Sequence, residues 1–118
     1  MTYEEVKNLK ISNIVVSADL KDLAKECVSI VKESTLKDNE IIMLINAGVL
    51  DLERQGIDVE HHIQDGIIQG AITMFVKANF GMVDIKEKEL SQRTYTMLCN
   101  NLSLSSEYKQ KEGVDENV

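Results

Sequence analysis

A regular apolar pattern in residues 63–80 constrains the fold more than any other feature of this sequence. The recurring positions, three or four residues apart, are Ile63, Ile67, Ile68, Ala71, Ile72, Phe75, Val76, Asn79 and Phe80. This spacing places them on one face of an α-helix. Gly81 follows directly and predicts the end of the helix, because glycine readily adopts the backbone conformations that close helices.

Two helices are predicted before this segment. The first covers residues 20–33 with Asp19 as its N-cap, and its buried face is Leu20, Leu23, Ala24, Cys27, Val28 and Val31. The second starts at Asp38, whose carboxylate can accept from the first free amide groups, and stops at Gly56. Its buried stripe is Ile41, Ile42, Ile45, Val49 and Leu52. Residues 57–61 are predicted to form a loop.

A last helix is predicted after Gly81, because Asp84 and Glu87 form an Asp-x-x-Glu capping pair. Its buried stripe is Leu90, Thr94, Tyr95, Leu98 and Leu102. The chain of 118 residues has room for one hydrophobic core, and the short connections make consecutive helices neighbours. The predicted fold is therefore all-α, a small bundle of about four helices.

The two ends of the chain differ from this pattern. Residues 2–9 are predicted to form one or two helical turns, and the β-branched residues 11–16 an extended connector. Residues 103–118 are polar and charged, which predicts a flexible C-terminal arm. The predicted organisation is one helical domain over residues 1–102, followed by the arm over residues 103–118.

The formal net charge of −7 disfavours tight binding to nucleic acid, because it repels phosphate groups. No stretch reaches the roughly 18 apolar residues of a membrane span, and the N-terminus lacks the apolar core of a signal peptide. Cys27 and Cys99 lie in apolar helical patterns, as reduced cysteines of a cytosolic protein do. We therefore expect a protein made in the cytoplasm, with no membrane segment.

One cluster contains the residue types of a metal site: Asp58, Glu60, His61, His62 and Asp65. Adjacent histidines on a helix point in different directions, so too few ligands converge for the four of a structural zinc site. A polar loop and helix start is the alternative interpretation. Glycines inside the helical patterns, Gly48, Gly66 and Gly70, are interpreted as sites of close helix packing. We expect no catalytic site, no cofactor and no metal.

The order and spacing of features between Asp38 and Tyr108 resemble the head-tail connector (adaptor) proteins of long-tailed bacteriophages. In that family, a helix similar to DNEIIMLINAGVLDLERQGI (residues 38–57) precedes one similar to DGIIQGAITMFVKANFG (residues 65–81). A helix with an S-x-x-x-Y element follows, which here is similar to Ser91 and Tyr95, and then NLSLSSEY (residues 101–108). About three-fifths of the chain take part in the resemblance.

The resemblance implies a structural virion protein that forms a ring of identical subunits, twelve as in related connectors. Such a ring docks beneath the portal protein after DNA packaging, helps to retain the DNA and offers a surface to the tail or to a stopper protein. It also implies that Leu104 and Tyr108 of the arm become ordered on contact with the portal. The virion would be its final location, after assembly in the host cytoplasm.

DNA must pass through such a ring without binding to it, and an acidic lumen repels phosphates. The candidate lumen residues are Asp51, Glu53, Asp58, Glu60 and Asp65, although solvation of helix and loop surfaces explains any one of them equally well. The alternative function is a small phage-encoded helical binding module that regulates a host or phage protein. A small helical hydrolase or metal enzyme lacks a complete constellation of residues.

Overall fold

The computed structural model describes residues 17–110, and the predictions for residues 2–9, 11–16 and 111–118 lie outside this part. The described chain forms four α-helices and two short 3-10 turns. The helices are α1 (Ala18–Cys27), α2 (Asp38–Arg54), α3 (Gly66–Asn79) and α4 (Ile85–Leu104), and the 3-10 turns are Glu60–His62 and Ser106–Tyr108. Helix α3 contacts the other three helices and forms the centre of the bundle. The all-α prediction is confirmed.

Helix α1 is shorter than predicted and has a different cap. The Ser17 hydroxyl, not Asp19, accepts the Leu20 amide at 3.0 Å. The helix ends at Cys27 because Ser29 adopts a left-handed conformation with φ of 65°, and the Ile30 amide donates back to the Lys25 carbonyl at 2.8 Å. This is the hydrogen-bonding geometry that closes many helices. The predicted extension to residue 33 is therefore wrong, and Val31 is exposed instead of buried.

Lys25 explains why the chain leaves the helix. Its side chain is only 1% exposed, and its ammonium donates to the carbonyls of Lys32 at 2.8 Å and Ser34 at 2.5 Å. It also forms an ion pair with the Asp38 carboxylate at 2.8 Å. Asp38 is thus the first residue of α2 and not its N-cap, and the cap, Lys37, makes no side-chain bond. The buried Lys25 ammonium thus binds two carbonyls of the connection between α1 and α2 and the first residue of α2.

Most of the predicted stripe of α2 is confirmed. Ile41, Ile45, Val49 and Leu52 are buried, and Ile42 is half-buried. Gly56 closes the helix with φ of 87°, a conformation that residues with a side chain rarely adopt. In α3 the buried side chains are Ile68, Ala71, Ile72, Thr73 and Val76, and Phe80 is fully buried just beyond the C-terminal end.

Helix α4 begins as predicted, because the Asp84 carboxylate accepts the Glu87 amide at 3.0 Å. The Glu87 side chain forms an ion pair with Lys77 of α3 at 3.0 Å. The buried face of α4 consists of Ser91, Tyr95, Cys99 and Leu102. Leu90, predicted to be buried, is exposed, because a face centred on Tyr95 places it on the outer side of the helix.

Only one of the three predicted packing glycines contacts another helix. A Cβ atom at Gly48 of α2 would lie 3.1 Å from the Phe75 ring of α3, so this glycine allows close approach of the two helices. A Cβ atom at Gly66 or Gly70 would meet nothing within 4 Å. The packing interpretation is therefore confirmed for Gly48 and wrong for Gly66 and Gly70, both of which belong to α3.

Among residues 17–110, no helix combines the length and the apolar character needed to cross a membrane. Cys27 is half-buried and Cys99 is buried, and both are free thiols. Burial raises the pKa of the Cys99 thiol, which keeps it in the protonated, less reactive form. Its Sγ atom lies 3.5 Å from the Gln55 side-chain nitrogen, so the thiol takes part in the packing of α4 against α2.

Candidate interaction surfaces

The C-terminal segment folds back onto the loop after α2. The Asp58 amide donates to the Tyr108 carbonyl at 2.7 Å, and the Gln110 amide donates to the Gly56 carbonyl at 2.9 Å. Between these bonds, Ile57 and Lys109 form an isolated antiparallel bridge. Residues 103 and 104 continue α4, and residues 106–108 form a 3-10 turn. Residues 103–110, for which a flexible arm was predicted, therefore have defined contacts with the bundle.

The Tyr108 ring fastens this segment. It lies 4.6 Å from the His62 ring, measured between centroids, and its hydroxyl donates to the Asp65 carboxylate at 3.1 Å. The His62 ring nitrogen is 3.2 Å from the same carboxylate oxygen. Partial burial raises the pKa of the Tyr108 hydroxyl, and the hydrogen bond to Asp65 adds to this shift. Tyr108 is thus engaged within its own chain, whereas Leu104 is 85% exposed.

Among the predicted lumen carboxylates, Asp51, Asp58 and Asp65 bond to identified partners within the chain. Asp51 accepts the Tyr95 hydroxyl at 2.5 Å, Asp58 lies 2.8 Å from the His61 ring nitrogen, and Asp65 binds His62 and Tyr108 as described. Glu53 is half-buried and Glu60 is exposed. The five residues are therefore in different environments, and their orientation toward a lumen stays a prediction.

The two histidines are paired with different carboxylates. His61 bonds to Asp58, and His62 bonds to Asp65, in each case three residues apart. In the described part of the chain, no three His, Cys, Asp or Glu side chains converge into a group that could hold a metal ion. The residues of the cluster form local polar contacts in the turn before α3, and some of them bind the Tyr108 side chain.

The S-x-x-x-Y element lies on the inner face of α4. Ser91 is 3% and Tyr95 is 4% exposed, so neither side chain is available to a partner. The Tyr95 ring packs edge-on against Phe75 of α3 with centroids 5.3 Å apart, and its hydroxyl reaches Asp51 of α2. The element therefore joins three helices, which explains its position in the sequence without a role at the surface.

Among the large apolar side chains that the structure exposes, only Leu104 was selected by the sequence analysis. Those exposed within residues 17–110 are Val31, Leu36, Met43, Leu50, Met82, Ile85, Leu90, Met97 and Leu104. The available signal was a spacing of seven residues between several of them, which differs from the spacing of the core stripes. Exposed apolar side chains mark an interaction site where they form a contiguous patch.

A protein-family model described as phage connector protein matches residues 20–109, well over half of the chain. The chain belongs to this family. The match starts at the third residue of α1 and ends at the bridge to Ile57, so it includes nearly all of the described bundle and extends the resemblance found in the sequence toward the N-terminus. No curated protein and no solved structure matches the chain.

Membership of the phage connector family is consistent with the contacts and surfaces of the fold described above. The family indicates a virion component that interacts with other virion components. In this connector, most of the polar residues that the sequence indicated as candidates form contacts that hold the bundle and its C-terminal segment together. Exposed apolar side chains, by contrast, lie on α2 and α4.

Proposed function

We propose that this phage connector is a structural, non-catalytic adaptor of the head-tail interface. Twelve copies would form a ring beneath the portal protein after DNA packaging, help to retain the DNA and offer a docking surface to the tail or a stopper protein. The observation that carries the proposal is the family match over residues 20–109, which spans all four helices and the returning C-terminal segment. The ring, its copy number, its partners and assembly in the host cytoplasm are supported by the resemblance to adaptor proteins.

Imaging tests the central claim. Purified chain added to portal-containing particles of the same phage should add a ring of density beneath the portal in negative-stain images. Particles without added protein are the control. A chain that leaves the portal unchanged contradicts the adaptor role. A stable monomer or dimer that captures one host protein tightly would favour the regulatory binding module, and turnover of a small molecule would contradict the absence of catalysis.

The net charge of −7 supports the passage of DNA without binding. Glu60 is the lumen candidate best suited to a test, because it is exposed, whereas reversal of Asp51 or Asp65 would also break contacts within the bundle. Glu60→Lys should slow DNA ejection from assembled particles, and Glu60→Gln should change it less. Equal ejection by all three forms would contradict a place for Glu60 in an acidic lumen.

The C-terminal arm is proposed to contact the portal from Leu104 onward. Leu104 lies at the start of this segment and is 85% exposed, and Tyr108 holds the segment in position. Leu104→Ser removes apolar surface without disturbing the core, so we expect weaker docking to portal particles and an unchanged unfolding midpoint. Ile85→Ser, at the other end of α4 and 75% exposed, is the matched control. Docking equal to that of the wild type would contradict this role of Leu104.

A further inference from the structure

Helix α4 has a line of exposed apolar residues on its outer face. Leu90, Met97 and Leu104 are 53%, 55% and 85% exposed, and consecutive members are seven residues apart. Seven residues make almost two helical turns, so the three side chains lie along one edge, with a length of roughly 20 Å. We call these residues the α4 stripe. A repeat of seven is the spacing with which one helix packs along another.

Helix α2 has a second line with the same spacing. Met43 and Leu50 are 61% and 38% exposed, and Leu36, seven residues before Met43, is 91% exposed in the turn that precedes the helix. We call these three residues the α2 stripe. Six of the nine large apolar side chains exposed within residues 17–110 thus belong to two series with the same spacing in the sequence.

Both stripes lie away from the core of their own subunit. On α2, Met43 and Leu50 lie on the side opposite to the buried residues Ile41 and Leu52. The α4 stripe likewise lies opposite to the face that contains Tyr95. Within the subunit, α2 and α4 meet through Asp51 and Tyr95, which uses a different side of each helix. Each subunit therefore has two unlike apolar edges on different helices, and neither can contact the other within one chain.

The charges beside the two stripes have opposite signs. Lys86 and Arg93 are exposed four residues before Leu90 and Met97, so they run along the α4 stripe, and Glu89 flanks it roughly 80° round the helix. Glu40 and Glu53 flank the α2 stripe on its two sides. Of the two cations close to that stripe, Arg54 forms an ion pair with Asp51 at 2.5 Å, and Lys37 lies beside Leu36 at the N-terminal end. Contact between unlike stripes brings opposite charges together, whereas contact between two α4 stripes brings cations together.

We infer that the α2 stripe of one subunit packs against the α4 stripe of the next. This inference rests on the proposed ring and names the surfaces that would form it. Contact between two different surfaces of identical subunits leaves one of each open at the ends of any short assembly. Such contacts close into a ring when the rotation between neighbours allows it, and they do not stop at a dimer.

The size of the contact sets its strength. A stripe roughly 20 Å long on a helix about 10 Å wide covers about 200 Å², whereas a stable complex buries about 800 Å² on each partner. Two free subunits should therefore associate only weakly. A portal that holds several subunits side by side raises their effective concentration, and the ring then forms without a stronger pairwise contact.

Two single variants and their mixture test the inference. Met43→Asp damages the α2 stripe, and Met97→Asp damages the α4 stripe, each at an exposed position where the fold should persist. Ile85→Asp is the control, because Ile85 is 75% exposed on α4 but lies well to the side of the stripe. Met97 is used instead of Leu104 because Leu104 also begins the proposed portal-docking arm.

In sedimentation at high protein concentration, the wild type and Ile85→Asp should form a series of oligomers, and each stripe variant should be at least ten-fold weaker in self-association. An equal mixture of the two stripe variants should form 1:1 dimers and nothing larger, because one intact pair of stripes remains. Association of either variant at wild-type strength, or a mixture no stronger than its components, would overturn the pairing.

Portal particles separate this inference from the proposed function. If the wild type and both stripe variants form complete rings on the portal equally well, the pairing of stripes is wrong and the adaptor function stands. If the wild type never joins the portal but the mixture still gives 1:1 dimers, the adaptor function is wrong and the pairing stands. Rings from the wild type and Ile85→Asp, with none from either stripe variant, would support both.

Discussion

The Tyr95 hydroxyl donates to the Asp51 carboxylate at 2.5 Å and joins α4 to α2 across 44 positions of the sequence. Tyr95 is almost fully buried, and burial raises the pKa of its hydroxyl well above the usual value, with the neighbouring carboxylate adding to the shift. The hydroxyl therefore stays protonated and able to donate. Asp51 also accepts from Arg54 and Gln55, so a predicted lumen residue is the centre of a structural network.

Tyr95→Phe should reduce the free energy of unfolding by about 1.5–3 kcal/mol, the usual range for a hydrogen bond to a charged group. Urea unfolding measures this change, and a double-mutant cycle with Asp51→Ala isolates the contribution of the pair. Tyr108→Phe, which loses a longer bond near the surface, is the control and should cost less. An unfolding midpoint of Tyr95→Phe equal to that of the wild type would contradict the role of this bond.

Local patterns explain why α2 and α3 were predicted well. Their apolar residues recur at helical spacing over several turns, and Gly56 ends α2 through its own backbone conformation. Each of these signals acts over a few residues and can be recognised in the sequence. The heptad spacing of Leu90, Met97 and Leu104 was visible too, but spacing alone does not distinguish a core face from an exposed stripe.

Contacts between distant residues explain the errors. The end of α1 depends on Lys25, whose partners lie seven, nine and thirteen positions later, and hydropathy alone assigns a lysine to the surface. The position of the Tyr108 side chain depends on its hydrogen bond to Asp65, which lies 43 positions earlier in the sequence. Such pairs have no local signature, so the sequence did not predict the contacts of residues 103–110 with the bundle.

The buried position of Lys25 leads to a second prediction. Lys25→Met leaves two carbonyls and the Asp38 carboxylate without their shared donor, so we expect a loss of about 3 kcal/mol in the free energy of unfolding. Lys21→Met is the matched control, because Lys21 binds Asp38 at 3.3 Å from a more exposed position, and a surface pair is worth about 1 kcal/mol or less. Chemical unfolding of both variants compares them, and equal losses would contradict the special place of Lys25.

Because of Asp38, the free energy of unfolding should depend on pH in the acidic range. The hydrogen bond from Lys25 holds the pKa of the Asp38 carboxyl below its ordinary value of 3.8, with a smaller effect from Lys21. Above that value the carboxylate is ionised in both the folded and the unfolded chain, and its ion pairs contribute fully to the free energy of unfolding. As the pH falls below 3.8, the carboxyl is protonated first in the unfolded chain. The stabilisation then decreases until the pH reaches the lower pKa of the folded chain.

Asp38→Asn removes this titration. We expect the wild type to be more stable than the variant at neutral pH, and the difference to shrink as the pH falls from about 5 to about 2.5. Unfolding midpoints in urea across this range measure the difference. Glu60→Gln, which removes an exposed carboxylate, is the control and should leave the acid dependence close to that of the wild type. A constant difference at all pH values would contradict the shift.

Two glycines in neighbouring helices should respond to alanine with opposite signs. Gly70 of α3 has space around it, since a Cβ atom would meet nothing within 4 Å. Gly70→Ala therefore brings only the better helix propensity of alanine and should stabilise the chain by about 0.5–1 kcal/mol. At Gly48 of α2 the same propensity applies, but the new methyl group would lie 3.1–3.3 Å from three atoms of Phe75.

Phe75 has little freedom to move away, because its ring packs edge-on against Tyr95, which is buried and bonded to Asp51. Overpacking of a core costs about 1–3 kcal/mol, which exceeds the gain in propensity, so Gly48→Ala should be destabilising on balance. Thermal and urea unfolding of the two variants decide the matter. If Gly48→Ala were as stabilising as Gly70→Ala, the close approach of α2 and α3 at Phe75 would not constrain the fold.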